Sequence, residues 1–295
     1  MSGKLTGLIS LSTKSQSILE NSEVLIAPAA VFPQLIATRA QEKPVIVVTH
    51  SSKRSGDLTK ELASLVDGVR EFPAWETLPH EKLSPNSDTI ARRIEVLHSL
   101  SEIPIVVVPI RALVQPIITN VLDKPILTLK TGESVEFSKL IEDLVNCAYA
   151  RVDMVERRGE FAVRGGIIDI FPTGNDYPVR VEFFGDEIEA LRRFEVANQR
   201  TFMEESAPLK ILPGRELLID QEVRERADAL RGLYPELIEM CSKIADGIYP
   251  PGMESLVGAL HPERKIFLDF LTSEHEIILL EDPASDFEFA HLLTE

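Results

Sequence analysis

In the stretch Arg157–Glu195, RRGEFAVRGGIIDIFPTGNDYPVRVEFFGDEIEALRRFE, three residues have types suited to holding another protein: Arg164, Arg180 and Phe184. Arg164 precedes Gly165-Gly166, a pair that marks a bulge or a close backbone approach, which puts the arginine at a strand end rather than inside a core. Within VRVEFF, strand alternation sends Val179, Val181 and Phe183 to one face and Arg180, Glu182 and Phe184 to the other. If the first face packs on a core, the second meets water, and a phenylalanine between charges is out of place there. Arg180 and Phe184 are four residues apart, roughly 13 Å by strand rise. An aromatic accompanied by arginines is the mixture enriched at protein–protein hot spots. Spacing alone equally allows Phe184 to pack under a neighbouring helix while Arg180 pairs with Glu182 or Glu189.

Other chemistry finds little footing. Nucleotide binding needs a glycine-rich loop after the first strand, with a lysine for the terminal phosphates and a hydroxyl for magnesium. Here EVLIAP (23–28) is followed by AAVFPQLIATRA, which has no glycine and no lysine. The late strand IILLEDP ends in Glu281-Asp282 as a magnesium-holding motif would, but without a phosphate partner the pair reads as a solvated strand end. His50, His80, His98, His261, His275 and His291 lack metal-ligand spacing. There is no GxSxG, neither Cys147 nor Cys241 has a base nearby in sequence, and the carboxylates of GDEIE read as a turn and an exposed strand. The sequence therefore offers no catalytic, cofactor-binding or metal-binding residue.

The elements that must position these residues fall into two textures. Over about the first 120 residues, short apolar runs such as KPVIVVTH (43–50), GVREFP (68–73) and IPIVVVP (103–109) alternate with helix-like segments. Uninterrupted runs suit strands buried on both faces of a parallel sheet. SGDLTKELASLVDG places Leu58, Leu62, Leu65 and Val66 at helical spacing with Gly68 as a stop, and SDTIARRIEVLHSL is a second helix, opened by Ser87 or Asp88. From about Leu127 to Leu212 the strands alternate, punctuated by Gly and Asn-Asp, as in an antiparallel insert. Helices return in QEVRERADALRGL and PELIEMCSKIADGI, and HEIILLEDP reads as another buried strand. The order predicts an α/β domain split by a smaller, mostly antiparallel α+β insert.

The chain has 295 residues, 44% hydrophobic and 26% charged, with a formal net charge of -16. Residues 251–295 hold only Arg264 and Lys265 against ten acidic side chains, a surface that repels phosphate backbones. No apolar run approaches the ~20 residues of a membrane span. Two distant cysteines read as reduced thiols, which with no secretion signal predicts a cytoplasmic location.

YARVDMVERRGEFAVRGGIIDIFP, VRVEFFGDEIEALRRFE and QRT closely resemble the second domain shared by bacterial transcription-repair coupling factors (Mfd) and the excision-repair protein UvrB. FPAWETLPHEKLSP, ARRIEVL, GIYPPGMESL and IFLDFL extend the resemblance over nearly the whole chain. Where UvrB keeps a phosphate loop and an acidic strand end, this chain has APAAVFPQL and LLEDPASD. Between Trp75 and Ala91 it has no tyrosine or phenylalanine, so UvrB's aromatic hairpin for damaged DNA has no counterpart. The match is thus to the N-terminal, UvrB-like module of the coupling factors. The resemblance implies a split P-loop-NTPase-like parallel-sheet domain without its Walker A loop, in residues 1–122 and 213–295, with a UvrA-binding domain inserted at 123–212. It further implies that Arg164, Arg180 and Phe184 face UvrA and that the chain is a non-catalytic fragment without a cofactor. ATP, magnesium, RNA polymerase and DNA would engage the family's downstream motor and domains, and the family's C-terminal domain would mask the UvrA surface. A UvrB-like ATP-dependent damaged-DNA binder and an autoinhibitory clamp on the motor are the rival readings.

Overall fold

A computed structural model describes residues 28–78, 81–124 and 126–280. The strand expected at EVLIAP and the acidic pair Glu281-Asp282 lie outside the described residues, except for Pro28. The chain divides into two compact units, one of Met1–Ala74, Val96–Pro116 and Ile266–Glu295, the other of Trp75–Glu95 and Ile117–Lys265.

The first unit is built on four parallel strands, β1 (Val45–Thr49), β2 (Arg70–Glu71), β3 (Ile105–Pro109) and β14 (Glu276–Leu279), in the order β14-β1-β3-β2. Every residue of β1 and β3 is buried, as their unbroken β-branched runs predict. The helix Ser52–Ala63 lays Leu58 and Leu62 on this sheet, where they join Val45, Val47, Ile105 and Val107. Its N-terminus is capped by Ser51, whose hydroxyl accepts from the Arg54 N–H at 3.3 Å. The helix ends at Ala63, short of Leu65 and Val66, and Gly68 follows with φ +83°. HEIILL departs from expectation: among the described residues β14 pairs with β1 alone, and Ile277 and Leu279 are exposed by 49% and 63%. An apolar run does not distinguish a central strand from an edge strand.

The second unit is organised by a six-stranded sheet in the order β11-β10-β9-β8-β7-β6. Its strands are β6 (Ala150–Arg151), β7 (Glu160–Arg164), β8 (Ile167–Phe171), β9 (Val179–Phe184), β10 (Glu187–Phe194) and β11 (Thr201–Glu204). β6 runs parallel to β7 and the other pairings are antiparallel. Two short ladders accompany it, β5 (Leu127–Leu129) with β12 (Leu209–Ile211), and β4 (Ile117–Ile118) with β13 (Arg264–Lys265). One sheet face buries Phe161, Ile168, Ile170, Val179, Val181 and Leu191 against Leu140 and Leu144 of the helix Phe137–Asn146. The reading of 127–212 as a mostly antiparallel α+β insert leaves this helix unplaced, although Phe137, Leu140, Ile141 and Leu144 recur at helical spacing.

The rest of the second unit is helical. Gln221–Leu233 and Ile238–Ala245 pack around Trp75, Val223, Ala227, Cys241 and Ile244, and Asp220 caps the first by accepting from the Val223 N–H. The helix Ser87–His98 begins at Ser87, one of the two starts expected, while Asn86 accepts from the Asp88 N–H. Arg93 and Glu216 form a fully buried pair, Nε to Oε1 at 2.6 Å, and the Trp75 indole N–H donates to the same oxygen at 2.9 Å.

Candidate protein-binding face

Strand register places all three candidate residues on one face of the six-stranded sheet. Arg164 of β7 opposes Ile167 of β8, which opposes Glu182 of β9. Asp169 of β8 opposes Arg180 of β9, which opposes Arg192 of β10. Because side chains alternate, Arg164, Arg180, Glu182 and Phe184 share the face opposite the Val179, Val181 and Phe183 core face. Two tight turns close this end of the sheet. Gly165-Gly166 joins β7 to β8 and Gly185-Asp186 joins β9 to β10, each with positive φ at its first residue, +62° and +63°. Only glycine adopts that conformation without strain in a two-residue hairpin loop of this kind. The close approach expected at Gly165-Gly166 is present, in a turn: the Phe183 N–H donates to the Gly166 carbonyl at 2.9 Å, and a Cβ at Gly166 would lie 3.2 Å from the Phe183 carbonyl oxygen.

Phe184 is 80% exposed, so it does not pack under a helix. Phe183 supplies the contrast, turning inward to meet Phe137 edge-on with ring centroids 5.1 Å apart. Arg164, at the end of β7, is exposed and donates from Nη2 to the Asp153 carbonyl at 2.7 Å. Among the described residues no carboxylate pairs with this exposed guanidinium.

Arg180 behaves differently. Its Nε and Nη2 donate to Asp169 Oδ1 and Oδ2 at 2.7 and 2.9 Å, a bidentate pair with a carboxylate only 2% exposed. The guanidinium also lies 5.1 Å over the Phe194 ring. Hydrogen bonding to Asp169 raises the Arg180 pKa above its ordinary value, so the charge is permanent. The partner is therefore Asp169, and neither Glu182 nor Glu189; Glu182 instead accepts from Arg192 Nη1 at 3.1 Å. Asp169 is the residue that pattern reading passes over. Its signal is an acid inside the otherwise apolar IIDIF, where a buried carboxylate needs a cation opposite.

Burial pushes the Cys147 thiol up to about 11, so at neutral pH it is not the thiolate that acts as a nucleophile. No group of three or more His, Cys, Asp or Glu among the described residues is placed to hold a metal ion, and no described helix is long and apolar enough to cross a membrane. An exposed aromatic pair, Tyr177 and Phe202, meets at 5.0 Å near the β8–β9 connection.

A family model described as the UvrB interaction domain matches residues 127–217, which contain the whole six-stranded sheet and the helix Phe137–Asn146. A transcription-repair-coupling factor of Mycobacterium tuberculosis (strain CDC 1551 / Oshkosh) is 38% identical over 278 residues, covering 88% of this chain and 22% of the relative. The factor of Escherichia coli (strain K12) is 31% identical over 222 residues, covering 72% and 19%. That of Bacillus subtilis (strain 168) is 34% identical over 205 residues, covering 67% and 17%. The chain spans about a fifth of the length of these curated relatives. Over most of its length the chain is a homologue of part of the transcription-repair-coupling factors, and its residues 127–217 belong to the UvrB interaction domain family.

Proposed function

We propose that this chain is a recruitment module that binds UvrA through the outer face of its six-stranded sheet and so links stalled transcription to excision repair. The single observation that carries the reading is Phe184, a large aromatic left 80% exposed on a braced hairpin, on the same face as the exposed Arg164. An aromatic anchor beside a cation is the composition of an interface centre. Arg164 steers an acidic partner, whereas Arg180 holds the strand from which Phe184 projects.

In this reading residues 123–212 are the UvrA-binding insert. The parallel sheet of the first unit is what remains of a nucleotide-binding fold whose phosphate loop is lost, so the chain works without a cofactor. Motor activity and contacts with RNA polymerase and DNA belong to the parts of the longer relatives beyond this chain. Titration of the purified chain with ATP and magnesium is expected to give no heat of binding, and measurable binding would favour a UvrB-like enzyme.

The experiment that tests the core of the proposal is calorimetric binding of purified UvrA to the wild-type chain and to Phe184→Ala. Loss of a hot-spot aromatic costs at least ~2 kcal/mol, on the order of 30-fold in affinity. Equal affinity of the two proteins would remove Phe184 from the interface.

A further inference from the structure

The exposed tip that carries Phe184 is not a free hairpin. The segment 132–137 lies along it and shares four hydrogen bonds with it, three between backbones and one to a side chain. The Gly132 N–H donates to the Ile188 carbonyl at 2.8 Å, and the Ile188 N–H to the Glu133 carbonyl at 2.9 Å. The Val135 N–H donates to the Asp186 carbonyl at 2.7 Å, while Ser134 and Glu187 form an isolated bridge. A side-chain hydrogen bond comes from the Asp186 carboxylate, whose Oδ1 accepts from the Phe137 N–H at 3.2 Å.

Phe137 opens the helix Phe137–Asn146, and the residue in the N-cap position, Glu136, gives that helix no side-chain cap. Asp186, fifty residues away in sequence, fills the role from the hairpin turn. A carboxylate suits the place, because it meets both an orphan N–H and the positive end of the helix dipole. The turn itself does not require an aspartate. Its constrained position is Gly185, at φ +63°, and the second central position accepts ordinary residues.

We infer that Asp186 is a positioning residue: by capping the helix Phe137–Asn146 from the turn, it fixes the hairpin tip on which Phe184 is presented. Phe183 adds to the same brace through its edge-on contact with Phe137. A contact residue held in place before binding loses less conformational freedom on binding, and affinity rises accordingly. The binding half of this inference rests on the reading of Phe184 as a partner contact; the ordering half stands on the geometry alone.

Asp186→Ala and Asp186→Asn in the full chain test it, with Phe184→Ala beside them. Two readouts are used: hydrogen exchange of amides 183–188 and 137–140 in the free protein, and affinity for purified UvrA. Asparagine retains the oxygen acceptor and caps helices about as well as aspartate, whereas alanine removes the bond. The expected result is faster exchange at both segments and about fivefold weaker binding in Asp186→Ala, with both restored in Asp186→Asn. Unchanged exchange in Asp186→Ala overturns the positioning role. Equal weakening in Asp186→Ala and Asp186→Asn also overturns it, because a lost charge would then mean direct contact with the partner. Unchanged affinity in Phe184→Ala overturns the contact reading and the binding half with it, while the exchange data still decide whether Asp186 orders the tip.

Discussion

Arg180 and Phe184 occupy the same face of the same strand, four residues apart, yet one is locked into the protein and the other stands in water. At the Arg180 end the outer face is closed over by a small apolar cluster of Val155, Ala162, Phe171 and Phe194. The guanidinium lies across Phe194 and is held by the buried Asp169. At the Phe184 end the face runs out onto the turns Gly165-Gly166 and Gly185-Asp186, and nothing among the described residues covers the ring. Alternation assigns both residues to one face, but what each does is decided by the strand beside it. β8 brings an acid to Arg180 and only a glycine turn to Phe184. One end of the face is locked into the protein, and the other is the end that the proposed function makes a contact.

The largest effect that could break this comparison is on folding stability. Arg180→Ala would leave Asp169 buried without its cation, and removing one partner of a buried pair costs about 3–5 kcal/mol. The Arg180 side chain is itself partly exposed, so the lower end of that range is expected. Urea denaturation should show the midpoint falling in Arg180→Ala and staying put in Phe184→Ala, since exposed positions change stability by about 0.5 kcal/mol or less. Any loss of partner binding in Arg180→Ala is then to be compared at matched folded fraction. An Arg180→Ala protein as stable as wild type would dissolve the distinction between the two ends.

The same two positions show what the sequence could and could not carry. The face of Phe184 is legible because strand alternation is local, and so are β1 and β3, whose unbroken β-branched runs match a sheet buried on both sides. The partner of Arg180 is not legible, because Asp169 lies eleven residues away and meets it only in the final register of β8 and β9. The exposure of Phe184 was one of two open readings, since covering it would have required an element whose placement no local pattern specifies. Edge position is equally non-local: EIIL reads as a buried strand but is half-exposed, and among the described residues only β1 pairs with it. The helix Phe137–Asn146 did leave a local trace, in the spacing of Phe137, Leu140, Ile141 and Leu144, but the surrounding strand-like texture obscured it.

Arg164 sharpens the comparison at an intermediate scale. Its guanidinium is exposed and bonded to the Asp153 carbonyl, so Arg164→Ala should leave the urea midpoint within about 0.5 kcal/mol of wild type. If it steers an acidic partner, the mutation should slow association with UvrA several-fold at low salt, with the difference shrinking as salt screens it. Stopped-flow association at two ionic strengths reads this directly. A loss that persists undiminished at high salt would make Arg164 a packed contact instead.

The smallest effect comes from the middle of the face. Arg180 and Arg192 are directly opposed across β9 and β10, an arrangement of like charges that destabilises a sheet unless each is neutralised. Each has its own acid, Asp169 for Arg180 and Glu182 for Arg192, drawn from different strands. The two pairs have similar geometry but differ in burial: Asp169 is almost inaccessible, while Arg192 and Glu182 both remain in contact with solvent. Solvent-exposed pairs contribute about 0.2–1 kcal/mol, so Arg192→Ala should cost far less than Arg180→Ala in the same urea experiment. Removing Arg192 also relieves its repulsion with Arg180, which lowers the net cost further. If Arg192→Ala proved as damaging as Arg180→Ala, burial of the carboxylate would not be what separates the two arginines, and the division of the face into a stabilising end and a contact end would have to rest on Phe184 alone.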